Sequence, residues 1–198
     1  MRRTNAQPVT GVTIKPARPS RRVFLKSATG LLAAGSSALA TGCGESTAVD
    51  RKLQFGSLRA ALAEAERLAN LAALETASVW TLPQTLVHCA QSIEYSMAGY
   101  PEMKSKAFQN TAGAAAFNLF AWRGRMSHDL TEQIPGAPAL ENATDMTTSL
   151  ARLRSAVDAF ASTQQPLQPH FAFGSLDKSE YELAHAMHLA NHFSAIDA

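Results

Sequence analysis

The chain has 198 residues, 46% of them hydrophobic, and a formal net charge of +2 at pH 7. The basic excess sits at one end. Residues 1–43 hold Arg2, Arg3, Lys15, Arg18, Arg21, Arg22 and Lys26 and no acid, which leaves 11 basic against 16 acidic residues, a net charge of −5, from residue 44 onward. A domain of that charge, with no Lys/Arg-rich stripe, argues against nucleic-acid binding. About 155 residues follow the basic end, enough for one domain with a hydrophobic core. Two cysteines, Cys43 and Cys89, exclude a disulfide framework.

Taken in chain order, the first feature is Ser20-Arg21-Arg22-Val23-Phe24-Leu25-Lys26. It resembles the twin-arginine signal motif: two arginines, one free position, then Phe-Leu-Lys. Ser27 to Thr41 is rich in Ala, Gly and Ser, too short and too weakly apolar for a membrane span, as signal h-regions are. The resemblance implies export of an already folded protein by the Tat translocase, to the periplasm or cell envelope. Two readings of the processing stand side by side. Leu39-Ala40-Thr41-Gly42-Cys43 resembles a lipobox, in which Cys43 is lipidated and tethers the chain to a membrane. Ala38-Leu39-Ala40 is an A-x-A-like site for ordinary cleavage. Residues 1–43 are therefore expected to be signal, 44–55 a polar tether, and 56–198 the working domain.

In that domain the apolar residues recur at helical spacing. The first helix is expected from Ser57, its N-cap, to Leu71, with Leu58, Leu62, Ala65 and Leu68 inward. The second starts near Thr81 with Pro83 in its first turn and runs to Gly99-Tyr100-Pro101. The third spans about Lys104 to Trp122 and ends at Gly124; its alanines (112, 114, 115 and 116) permit close helix contacts. A loop with Pro135 and Pro138 leads to a helix from Asp145 to Ser162. A second Pro-containing loop, Gln164 to Ser175, leads to the last helix, Asp177 to Ile196, with capping-box spacing of Asp177 and Glu180. No strand alternation is visible. The expectation is an all-α fold, an up-and-down four-helix bundle with an extra helix and two Pro-containing loops.

Three of the six histidines, His185, His188 and His192, lie on the last helix. At about 100° per residue, His188 and His192 are about 40° apart on neighbouring turns, and His185 is about 60° from His188. Imidazoles at i and i+4 reach one metal ion, the geometry of helical zinc sites. A third ligand must come from elsewhere. His88 is the candidate, because it lies mid-helix among Leu86, Val87, Cys89 and Ala90, where an unpartnered polar group is costly to bury. His185 is expected beside the ion as a supporting or alternative ligand. His128 and His170 fall in loops and are expected to be exposed, His170 at a pocket rim. Zinc and nickel both suit imidazole.

The stretches Gln84-Thr85-Leu86-Val87-His88-Cys89-Ala90-Gln91-Ser92, Pro169-His170-Phe171-Ala172-Phe173-Gly174 with Leu176, and His188-Leu189-Ala190-Asn191-His192 together resemble a branch of the DinB-like superfamily that is a domain of unknown function. The resemblance covers most of residues 56–196. It implies a four-helix bundle with a divalent metal held at one end by His88, His188 and His192. Many superfamily members dimerise, so a homodimer is an expectation from the resemblance alone. Others are thiol-dependent transferases, hydrolases or isomerases, and none of these activities is implied for this branch.

A three-histidine metal with an open position activates water or a thiol. The function expected is thus an exported metal-dependent hydrolase or thiol transferase, with a non-catalytic metal- or ligand-binding envelope lipoprotein as the alternative. No general base is evident. Glu94 points about 120° away from His88, Gln91 (about 60° away) carries no proton acceptor of suitable basicity, and Tyr95 (about 20° away) could line the pocket as a hydrogen-bond donor. Cys89, about 100° away, reads as core. Trp80, Tyr100, Phe117, Phe120 and Trp122 read as core or pocket wall.

Overall fold

The computed structural model describes residues 50–71, 74–76 and 79–198; Arg21, Arg22 and Cys43 lie outside them. The protein is mostly helical, and its caps explain where the helices start. In α1 (Leu58–Ala69) the Ser57 hydroxyl accepts the Ala60 N–H at 3.1 Å. In α2 (Leu82–Ala98) Thr81 and Gln84 form a reciprocal capping box, with Pro83 in the first turn. Asp145 caps α5 (Met146–Ser162), its carboxylate accepting the Thr148 N–H at 2.7 Å. Asp177 and Glu180 form the expected capping box on α6 (Lys178–Ser194). Each such cap stabilises its helix by about 1 kcal/mol.

Helix α2 packs along α5, α1 touches both α5 and α6, and α6 closes against α2. The shared core includes Leu62, Leu68, Leu86, Ile93, Leu153, Val157, Phe160 and Phe193. Surface ion pairs cross the same interfaces, Glu94 with Arg152 and Glu66 with Arg154; exposed pairs of this kind add little stability. The Glu94 pair confirms that this carboxylate faces away from His88. Residues 50–55, the end of the expected tether, lie against the domain. The Arg51 and Leu53 N–H groups donate to the backbone and hydroxyl oxygens of Ser194, both at 2.9 Å, and Leu53 and Phe55 pack on the core.

Four local expectations need correction. The third predicted helix is not uniform: α3 (Lys106–Phe108) runs into a π-helical segment (Gln109–Gly113) and then α4 (Ala114–Arg123). Its alanines do not mediate close helix packing, since Ala112 and Ala115 are exposed and Ala114 and Ala116 half-buried. Trp122 is 82% exposed. It lies about 140° around the axis from the buried Phe117, so only one of the two can face inward. Finally, a two-residue antiparallel pair exists, β1 (Glu75–Thr76) with β2 (Ile196–Asp197). Strands this short carry no alternation to read. Among the described residues no helix is long and apolar enough to cross a membrane.

The close approach on the third helical run is made at Gly113 instead. A Cβ there would sit 1.9 Å from the Ala172 carbonyl oxygen. Backbone must move to admit it, so Gly113→Ala is expected to destabilise the protein by about 1–3 kcal/mol and lower its melting temperature by several degrees. A thermal melt as stable as wild type would contradict the observed contact. The contact also matters for the site, because it seats the 170–174 turn against this helical run. The buried Gln109 amide adds to it by donating to the carbonyls of Lys104 (2.9 Å) and Phe171 (3.2 Å).

Candidate metal centre

His88 lies in the middle of α2, and His188 and His192 lie on successive turns of α6. Packing of α6 against α2 brings all three together. His88 Nε2 is 3.1 Å from His188 Nε2, which is 3.2 Å from His192 Nε2. Ring centres are 4.9–5.0 Å apart for every pair. Imidazoles on a tetrahedral zinc, with Zn–N about 2.0–2.1 Å, place their nitrogens about 3.3 Å apart. The observed spacing is close to that. Each ring is at most 8% exposed, and among the described residues this is the group of three whose ligand atoms all lie within 4.8 Å of one another.

Burial sets the charge of the cluster. It pushes the pKa of His88 down to about 3, and it holds His188 and His192 well below the ordinary histidine value, their imidazole neighbours adding to the effect. The rings are therefore neutral near pH 7, which leaves lone pairs for a cation. Hydrogen bonding within the cluster cannot satisfy it, since one N–H on His188 Nε2 can serve only one neighbour. Nδ1 of His88 and of His192 are buried with no hydrogen-bond partner. Three converging, neutral, under-satisfied imidazoles fit a divalent ion of the zinc or nickel type. The Trp80 ring covers them, 4.7 Å from His88 and stacked at 5.8 Å on His192.

A cavity of about 290 Å³ adjoins the centre. His88 and His188 line it, together with Phe108, Phe120, Phe171 and Phe173 from the π-interrupted run and the 170–174 turn. Its charged lining residues are Lys104 and Glu132. Glu132 lines it from a segment that no helical periodicity singles out.

The remaining expected residues fall in different places. His185 lines the cavity, is 2% exposed, and stacks on Tyr181 at 5.3 Å; its Nε2 has no partner and burial lowers its pKa to about 3. Gln91 is buried but does not line the cavity; its amide donates to the Pro138 carbonyl at 3.2 Å and so pins the loop before α5. Tyr95 is half-buried against Tyr100 and is likewise not a lining residue. Cys89 is fully buried in the core, and burial pushes its thiol pKa up, so it is no nucleophile.

Both loop histidines are less exposed than expected, although His170 does line the cavity. His170 is only 8% exposed. Its Nδ1 accepts the N–H groups of Ala172 and Phe173, each at 3.1 Å, and its ring stacks on Phe173 at 4.3 Å. The imidazole is thus the internal brace of a tight turn, which is why it leaves solvent. His128 is half-buried, with its ring 5.1 Å from both His188 and His192.

No curated protein and no solved structure matches the chain. Residues 47–198 match a family described as protein of unknown function (DUF1569), and that match includes both helices that carry the three histidines. With most of its length inside that match, the chain belongs to the DUF1569 family.

Proposed function

We propose that this DUF1569 domain is a DinB-like four-helix bundle whose His88, His188 and His192 hold one divalent ion, zinc or nickel, beside a small-molecule cavity. The convergence of three buried Nε2 atoms at 3.1–3.2 Å carries the reading. A divalent ion there supplies Lewis acidity, which activates water or a thiol. The chain's own groups do the rest. The aromatic walls exclude water around a bound molecule. Lys104 offers a cation to an anionic group at the cavity wall, and Glu132 offers a carboxylate to receive a proton. This lining supports a hydrolase or thiol transferase over a non-catalytic binding protein.

The metal content of the purified full chain tests the reading. About one equivalent of zinc or nickel is expected. A metal-free preparation that also takes up neither ion overturns it.

The leader's resemblance supports Tat export to the periplasm or envelope, with Cys43 as the lipid-bearing or the merely adjacent residue. Folding and metal uptake before export suit a centre assembled from two distant helices. Changing Arg21 and Arg22 together to lysine is expected to leave folded, metal-loaded protein in the cytoplasm. Normal export of that variant would end this reading of the leader.

A further inference from the structure

We infer that His128 is a fourth imidazole ligand of the ion held by His88, His188 and His192. The inference rests on the three-histidine reading above. Its first support is position. The His128 ring centre is 5.1 Å from those of His188 and His192, which matches the 4.9–5.0 Å spacing inside the triad. Four imidazoles bound through nitrogen to one tetrahedral zinc have ring centres about 5 Å apart, so two of the spacings of His128 already fit; its nitrogens lie outside the group of three that converge within 4.8 Å, and the ring turns inward to ligate.

The second support is the proton's place on the ring. His128 Nδ1 lies 2.8 Å from the backbone carbonyl oxygen of Asp129. A carbonyl only accepts, so Nδ1 carries the hydrogen and Nε2 carries the lone pair. Metal-binding histidines are oriented in this way, the distal N–H donated to a carbonyl or carboxylate. The third support is that Nε2 of His128 is buried and has no hydrogen-bond partner. Its backbone is held toward α6 as well, because the Asn191 amide donates to the His128 carbonyl at 3.4 Å.

The consequence concerns access. Three ligands sit on rigid helices and the fourth on the irregular segment between α4 and α5. Zinc with four protein ligands is closed, whereas three ligands leave a position open. His128 also lines the cavity. A donor atom entering the cavity therefore competes with His128 for the ion's fourth position.

The full chain loaded with Co(II) tests this by counting the strongly shifted exchangeable Nδ1–H signals of ligating histidines in the proton NMR spectrum. Four are expected in the wild type and three in His128→Ala, with the visible Co(II) bands altered. His128→Gln serves as the second variant should alanine unfold the loop. Three signals in the wild type overturn the fourth ligand and leave the triad standing. A wild type that binds no Co(II) overturns the triad itself.

Discussion

His192→Ala is expected to weaken zinc binding by at least about 100-fold, because loss of an outer partner alone costs about 10–100-fold and His192 contributes a ligand atom. The consequence is visible in stability. An ion that binds only the folded chain adds about 3–4 kcal/mol when present at 100 to 1,000 times its Kd. For a protein of this size that is a rise of roughly 5–15 °C in melting temperature. The wild type should show the rise with added zinc, and His192→Ala and His188→Ala should show almost none. His185→Phe, one turn earlier on the same helix, should keep it, since the His185 ring packs on Tyr181 and Phe160 rather than against the three ligand rings. A zinc-induced shift that survives in His192→Ala would mean that the ion sits elsewhere.

Acid should unfold the metal-free protein steeply. All six histidines have pKa values below the ordinary one, with burial the largest cause in each case, and His88, His170 and His185 are each lowered to about 3. The unfolded chain takes up protons at His88, His170, His185, His188 and His192 as the pH falls below about 6.5, while the folded chain does not until far lower. Stability is therefore full above pH 6.5 and lost as the pH drops through the window from 6.5 toward 3. By pH 5 each buried histidine costs about 2 kcal/mol. Five of them (His88, His170, His185, His188 and His192) are buried, against a total stability of typically 5–15 kcal/mol. Loss of the helical circular-dichroism signal is expected between about pH 6 and 4.5 for the stripped protein, and at lower pH with excess zinc. A stripped protein still helical at pH 4 would show that these rings do not stay neutral in the fold.

Much of this was legible from residue type and spacing. Ser57, Thr81 with Pro83, Asp145 and Asp177 with Glu180 mark helix starts by a local mechanism, a side chain satisfying an otherwise unpaired N–H, and each cap forms. His188 and His192 share a face by helical geometry, and His88 stood out as a polar residue in an apolar stretch; packing brings these three together. What escaped the sequence belongs to irregular backbone. His128 and Glu132 reach the cavity from a segment with no periodicity, where no rule relates sequence spacing to direction. His170 leaves solvent only because its ring braces a turn that Gly174 closes with a φ of 82°. The π-helical segment shifts the facing of everything after it, so the inward residues of α4 could not be read from a 3.6-residue repeat alone.

The most direct measurement is anomalous X-ray diffraction at the zinc or nickel absorption edge, on crystals of the protein grown with the ion. The account predicts one strong peak enclosed by the Nε2 atoms of His88, His188 and His192, about 2.0–2.2 Å from each. A peak bound to other residues, or none at those three nitrogens with the ion in excess, would contradict it.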